Sequence, residues 1–411
     1  MLSLVAALTL APVQLQNWAL LDDLSRRSFD FFWQQSHPLT GFTKDRAANF
    51  VSSDGYTVSS VASTGYALSA LSIGVERGWV SRADALARAR LTANSLRNRA
   101  SRFRGWFFHF IDWSNGARVW NSEASSIDTA ILVGGLLVAE QYFKDPTLTA
   151  DSVAIRSGID WQWMLTNNGA MPNSLTFCHG WTPESGFISY RWNSYSEHLL
   201  LLIQALGSSR AVPEGVWSAF SRPLITYSSI TCIAAGPLYL HQIPQGFLDF
   251  SLRKDAFNYD YHQNSRSATL ANRLYCINNP NHFAGYGSSF WGLSAADGPD
   301  GYQAFGAPGW GVDNGTINPA ATVASMMFLP TQCQAAANAI LAGNPTAYGR
   351  YGFANGLNPT RNWRSPDVIG IDLGMMLLGI ENARDKLPWR LSMSHPVNGL
   401  GMKRAKLIMR K

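Results

Sequence analysis

Charge is scarce in this sequence. Only 15% of its 411 residues are Asp, Glu, Lys or Arg, against 46% hydrophobic residues, a balance that excludes an extended disordered chain and provides for a large core. Cysteine is scarcer still. Cys178, Cys232, Cys276 and Cys333 are widely spaced, so no CxxC metal or redox pair exists; disulfides are permitted and none is demanded. His109, His179, His198, His241 and His262 never fall in an HExxH frame. There is no GxSxG elbow, and the glycine-rich stretch 285–315 holds neither GxxxxGKS/T nor a GxGxxG opening a helix after a strand. Zinc hydrolysis, a serine triad and nucleotide phosphate binding therefore lack support. No metal and no cofactor are expected.

Long apolar runs are also missing. The stretch from Leu2 to Ala11 has the length of a signal-peptide core and no basic residue ahead of it; it is too short to span a bilayer. We read residues 1–16 as a signal peptide or its remnant, and 17–411 as one domain exported to the periplasm or the medium. Nothing else approaches the roughly 18 uninterrupted apolar residues of a membrane helix, so no stable membrane insertion is expected, and a monomer is expected. The net charge of +6 is scattered and not striped along one element, which argues against nucleic acid. The dense group Lys403, Arg404, Lys406, Arg410 and Lys411 reads as a solvated tail.

What the chain has in plenty is aromatic surface: 15 Trp, 14 Tyr and 21 Phe. A large core absorbs most of it, and the rest suits stacking on sugar rings or bases. Apolar residues at helical spacing, such as Val61, Gly65, Leu68, Leu71 and Val75, predict a helix ending at Gly78, followed by a polar, Ala-rich one from Ser81. Further helices are expected at 126–143, 153–165, 196–207, 213–220, 319–328, 331–342 and 372–383, with long turn-rich loops at 166–195 and 276–318. Segments such as Leu199 to Ile203 and Met375 to Leu378 are apolar all round, as an inner layer requires. The expected fold is all-α, an (α/α)6 toroid built as a double ring of helical hairpins.

Three carboxylates stand at the threshold of such apolar helices: Asp128 in SSIDTAILVGGLL, Glu197 in YSEHLLLLIQAL and Asp372 in GIDLGMMLLGI. Each alone is explained by the helix dipole and unpaired N–H groups. In a ring of parallel inner helices, however, the N-termini would bring all three to one funnel. Glycoside hydrolysis needs an acid and a second carboxylate. Glu197, preceded by Tyr190, Trp192 and Tyr195, is the expected acid, because burial against rings raises a carboxyl pKa. Asp372, after Gly370, is the expected base, kept ionised by backbone amides and the helix dipole. Asp112 and Glu123 compete, in a segment where His109, Trp113, Arg118 and Trp120 supply a polar and aromatic mixture suited to sugar. Asp45, beside Arg46, is read as structural.

These residues lie in segments that resemble the bacterial glucoamylase-like family, which contains the endo-β-1,2-glucanases of glycoside hydrolase family 144. The matching segments run in order: GFTKDR (41–46), STGYALSALSIGVERGWVSR (63–82), GWFFHFIDWSNGARVWNSEASSIDTAIL (105–132), YSEHLLLL (195–202), HQIPQGFLDF (241–250), WGLSAADGPDGYQAFGAP (291–308), DNGTINPAATVASMMF (313–328) and DVIGIDLGMMLLGIEN (367–382). The resemblance implies an (α/α)6 toroid, an extracytoplasmic location, no metal requirement, and inverting endo-hydrolysis of linear β-1,2-glucan to short sophoro-oligosaccharides. It implies Glu197 as acid, Asp372 as a base candidate, and Asp112, Glu123 and Asp128 as cleft carboxylates, with protons able to pass through a substrate hydroxyl and water. Asp112, His109, Trp113, Arg118, Trp192, Tyr195, His241, Trp291, Tyr302 and Asp313 are the expected substrate contacts, on a polysaccharide or oligosaccharide. One segment departs. Where relatives more often carry HQYSHxxxD, this chain has Ile243, Pro244 and Gln245. An exo-acting or transglycosylating enzyme on another β-glucan, and a non-catalytic glycan-binding protein, are the competing readings.

Overall fold

In the computed structural model, which describes residues 18–210 and 212–409, outer and inner helices alternate along the chain. Outer α1 (Ala19–Gln34) leads to inner α2 (Val61–Glu76), outer α3 (Arg82–Asn98) to inner α4 (Ser126–Phe143), and outer α5 (Pro146–Gly158) and α6 (Trp161–Thr166) to inner α7 (Leu199–Gly207). Inner α8 (Tyr239–Phe247) follows, then outer α9 (Tyr261–Asn278), inner α10 (Pro319–Ala324), outer α11 (Pro330–Gly343) and inner α12 (Gly370–Arg384). The inner six close on themselves: α2 packs on α4, α4 on α7, α7 on α8, α8 on α10, α10 on α12, and α12 on α2. The protein is an (α/α)6 toroid. The all-round apolar segments went where their composition sends them, since α7 is buried at all nine positions and α2 at 14 of 16.

Two features depart from the regular hairpin pattern. Between α7 and α8 there is no outer helix: the helix expected at 213–220 is a 3-10 turn, Glu214–Trp217, followed by a hairpin pairing Leu224–Tyr227 with Ile230–Ile233. Pro213 and Gly215 disfavour a longer helix there. The place is filled from the C-terminus, where α13 (Leu387–Ser394) packs on α2, α4, α8 and α12, and α14 (Pro396–Arg404) lies along α7. The close fit of α14 rests on glycine, because a Cβ on Gly401 would meet Ile203 O at 2.0 Å and one on Gly207 would meet Val397 O at 1.9 Å.

The basic C-terminal segment is folded onto the ring as far as Met409, with Lys403 and Lys406 exposed as expected and Arg404 engaged. Arg404 Nη1 donates to Leu206 O at 2.6 Å, and Ile408–Met409 pairs with Arg253–Lys254. Arg410, Lys411 and the proposed signal segment 1–16 lie outside the described residues. All four cysteines are buried free thiols. No described helix is long and apolar enough to cross a membrane.

Strands among the described residues are short, and apart from the pair 253–254 with 408–409 most decorate the end of the ring where the inner helices begin. Arg46–Ala48 pairs antiparallel with Asp367–Ile369, which runs directly into α12, and Val58–Ser60 pairs with Phe110–Asp112 on its way into α2. Ala295–Gly298 and Gly301–Ala304 form a hairpin over the same end. These pairings fix the loops that carry the site.

Candidate active site

The parallel inner helices deliver their N-termini to one cavity of about 430 Å³, lined by Ser60 at the start of α2, Asp128 of α4, Glu197 just before α7, Tyr239 of α8 and Asp372 of α12. The sixth, α10, contributes its N-cap, Asn318, whose Nδ2 reaches Asp372 Oδ1 at 2.9 Å. A second lobe of about 530 Å³ shares His109, Ile127, Asp128, Glu197 and Tyr239 with the first, so Glu197 and Asp128 sit at the junction. Asp45, Arg46, Tyr302 and Asp372 belong to the first lobe; Glu123, His179, Tyr190, Trp192, Tyr195 and Trp310 belong to the second.

Glu197 is buried, and burial pushes its carboxyl up to about 7 against the opposing pull of a hydroxyl bond from Ser196 and of its own backbone N–H. The rings around it are ordered by stacking: Trp192 lies 3.7 Å from His179 and 5.4 Å from His198, centroid to centroid, and its Nε1 donates to Ser126 Oγ at 2.9 Å. Burial holds His179 down to about 4 and His198 down to about 3, so both are neutral platforms at neutral pH.

Asp128 plays two parts. Its backbone N–H and its Oδ2 both engage the N-cap Ser125, at 3.2 and 2.5 Å, which is the capping role expected of a first-turn acid. Its Oδ1 faces His109 Nε2 at 3.5 Å, and the other ring nitrogen of His109 meets Glu123 Oε1 at 3.1 Å. Ligating atoms of these three residues all lie within 4.8 Å of one another. Both ring nitrogens are thus already committed to carboxylates, an arrangement that suits an imidazolium.

Asp372 corrects one expectation. Backbone amides do not hold it; its two oxygens accept from side-chain amides, Oδ1 from Asn318 and Oδ2 from Asn355 Nδ2 at 2.7 Å. Burial outweighs these bonds and pushes its carboxyl up to about 7, with Asp297 and Asp45 adding in the same direction. Asp45 is also corrected, because beyond its pairing with Arg46 at 3.3 Å it lines the cavity.

Six expected substrate contacts are absent from the cavity lining. Asp112 accepts from Ser114 N, Ser114 Oγ and Asn115 N and so closes its own turn. Trp113 lies beneath Lys44, 4.7 Å from Nζ to the ring centroid, and Arg118 pairs with Glu184 and donates to Ser122 O. His241 is wholly buried between Tyr195 Oη and Ala235 O. Trp291 is wholly in the core, and Asp313 accepts from Tyr275 and Tyr286 hydroxyls, both at 2.8 Å. The cavity does hold Glu197, Asp372, Asp128, Glu123, His109, Trp192, Tyr195 and Tyr302.

Sequence reasoning missed Tyr239, Asn318, Asn355, His179 and Trp310. Asn318 was findable, since Asn before Pro at a helix start is an N-cap signature. Of the divergent positions, Ile243 lines the cavity, whereas Gln245 turns to α9, donating to Tyr261 O and Ser265 Oγ.

A family model for glycoamylases, described as "Putative glucoamylase", matches residues 189–396, just over half of the chain. The chain belongs to the glycoamylase family. Its similarity to an exo β-1,2-glucooligosaccharide sophorohydrolase (non-reducing end) of Parabacteroides distasonis is 26% identity over 418 residues, covering 92% of this chain and 56% of that protein. This glycoamylase chain therefore spans little more than half the length of that curated relative. The endo-β-1,2-glucanase of Chitinophaga pinensis, solved with sophorotriose and glucose, is 26% identical with a TM-score of 0.86 over 95% of this chain and 98% of the other. An endo-β-1,2-glucanase from Talaromyces funiculosus, 11% identical with a TM-score of 0.66 over 94% and 90% of the two chains, shares the fold.

Proposed function

We propose that this chain is a glycoside hydrolase that cleaves β-1,2-linked glucan internally, with inversion at the anomeric carbon, in the periplasm or outside the cell. The observation that carries the reading is the pair Glu197 and Asp372, two buried carboxyl groups facing one cavity from inner-helix thresholds. Support for the linkage comes from the relatives named above, an endo-β-1,2-glucanase and a sophorohydrolase.

The roles follow from position. Glu197 lies where the two lobes meet, so a glucan running through both would place a glycosidic oxygen beside it. With its carboxyl raised to about 7, Glu197 retains a proton near neutral pH and donates it to the leaving oxygen. Asp372, in the first lobe, takes a proton from water as that water attacks the anomeric carbon and the glycosidic C–O bond breaks. A substrate hydroxyl and a water chain can carry either proton. The imidazolium of His109 favours the charged form of Glu123 and opposes the upward push of burial on Asp128, and Tyr190 and Trp310 offer exposed ring faces to the sugar in the second lobe.

Exo action is the second reading, favoured by the sophorohydrolase relative. The test is a panel of glucans differing in linkage, with products followed in time. Reducing ends appearing from β-1,2-glucan as an early mixture of lengths support endo action, and a single short product from the start replaces it with exo action. Binding without hydrolysis across the panel would make the chain a glycan-binding protein.

A further inference from the structure

We propose that Asn318 and Asn355 are positioning residues for Asp372, a two-amide clamp that fixes the carboxylate in one orientation and favours its charged form against burial. The proposal rests on the reading of Asp372 as the base and explains how so buried an acid can serve as one.

Each oxygen of Asp372 takes one amide, at 2.9 Å from Asn318 and 2.7 Å from Asn355. Both amides are held by a single strand, Ala295–Gly298. Asn318 Nδ2 also donates to Ala295 O at 2.9 Å, while Asn355 Oδ1 accepts from Asp297 N at 2.7 Å. The opposite end of Asn318 is fixed as well, since its Oδ1 accepts from Ala321 N as the cap of α10. Both asparagines are almost wholly buried, so neither amide can turn to solvent instead. With each amide oxygen engaged elsewhere, the clamp donates one N–H to each oxygen of the charged form and presents no acceptor for the hydroxyl of a protonated one.

The same strand connects the clamp to the cavity wall. Asp297 holds Arg46 at 3.2 Å and accepts from Ser365 Oγ at 3.0 Å, and the paired strand carries Tyr302. The titratable and charged groups around Asp372 are Asp45, Arg46, Asp297, Asp367, Tyr302, Tyr66 of α2 and Tyr239 of α8, with Glu197, Asp128 and His109 lining the same cavity.

The test is carboxyl-carbon NMR on the full chain, the Asp372 resonance being assigned by its loss in Asp372→Asn. In Asn355→Ala and Asn318→Ala its midpoint should move upward by about one pH unit or more, because a donor to the charged form is gone. An unmoved midpoint in variants whose circular dichroism matches wild type overturns the clamp. Kinetics supply the second arm: either variant should lose roughly 10- to 100-fold in kcat on β-1,2-glucan with KM little changed, and should cost nothing further when added to Asp372→Asn. A further loss in that background means an independent structural role and also overturns the proposal. Wild-type protein inert on every glucan would remove the hydrolase reading, while the NMR midpoint still decides the clamp.

Discussion

His109 Nε2 stands 3.5 Å from Asp128 Oδ1, on the side of the ring opposite its contact with Glu123. A ring set between two carboxylates is favoured in its protonated form, in which both nitrogens carry hydrogen. Burial works against that charge, but Asp128 and Glu123 outweigh it and hold His109 up to about 9. Asp128, in the first turn of α4, and Glu123, ahead of that helix, are thereby tied to one positive charge in the cavity that holds Glu197.

The bridge makes stability depend on pH. A histidine raised from 6.5 to about 9 on folding contributes stability that is full below pH 6.5, declines as pH rises, and is gone above about 9. Wild type should therefore lose melting temperature between pH 6.5 and 9 more steeply than His109→Gln, measured by differential scanning calorimetry. Parallel curves for the two proteins would mean that His109 is neutral in the folded state.

The same charge bears on metal dependence. An imidazolium presents no lone pair, so the group formed by His109, Glu123 and Asp128 is occupied by its own proton and is not poised for a cation. Prolonged EDTA treatment should leave the rate on β-1,2-glucan unchanged. Activity that fell and returned with a divalent ion would overturn this reading and make His109, Glu123 and Asp128, with His109 neutral, the first ligands to test by substitution.

Glu197 must be protonated and Asp372 ionised for the proposed reaction, and both lie at about 7. Activity should fall as pH drops through about 7, where Asp372 takes up a proton, and fall again as pH rises through the same region, where Glu197 loses one. The expected profile of kcat against pH is a narrow bell centred near neutrality, its two midpoints belonging to the pair together. Glu197→Gln should cost at least roughly two orders of magnitude in kcat. A profile flat from pH 5 to 9, or full turnover in Glu197→Gln, would remove this pair from the mechanism.

The ring itself was legible because its signals are local. Apolar runs such as LLLLIQAL can only be inner helices, and the acids at their thresholds had to share one end once the helices were parallel. Asp128, Glu197 and Asp372 were accordingly found, and 126–143 was placed to the residue. What the sequence did not disclose depends on contacts between distant segments. Asn355 meets Asp372 only because strand 295–298 brings Asp297 N to it, and Asp45 enters the cavity only because 46–48 pairs with 367–369. Asp112, Arg118 and Asp313 misled for the opposite reason, since polar residues among aromatics serve turns, ion pairs and hydroxyl acceptors as readily as sugars. The last outer helix was hidden by order along the chain, because α14 covers α7 from the far terminus.

The stability of the ring should be most sensitive where α2 meets α4. A Cβ on Gly135 would lie 1.8 Å from Gly65 O, and one on Gly65 would lie 2.6 Å from Leu132 Cα, so the two helices touch through backbone. A clash with a flexible side chain can be relieved by a rotamer change, whereas a clash with a carbonyl requires the helices themselves to part. Overpacking of a core typically costs about 1–3 kcal/mol, and Gly135→Ala should reach or exceed the upper end of that range. Because Asp128 lies in the first turn of α4, the displacement should also lower kcat. Gly399→Ala, inside α14 with nothing within 4 Å of the added Cβ, is the control and should leave kcat unchanged and raise stability by up to about 1 kcal/mol, the helix preference of Ala over Gly. A Gly135→Ala melting temperature equal to that of wild type would show that α2 and α4 part without cost.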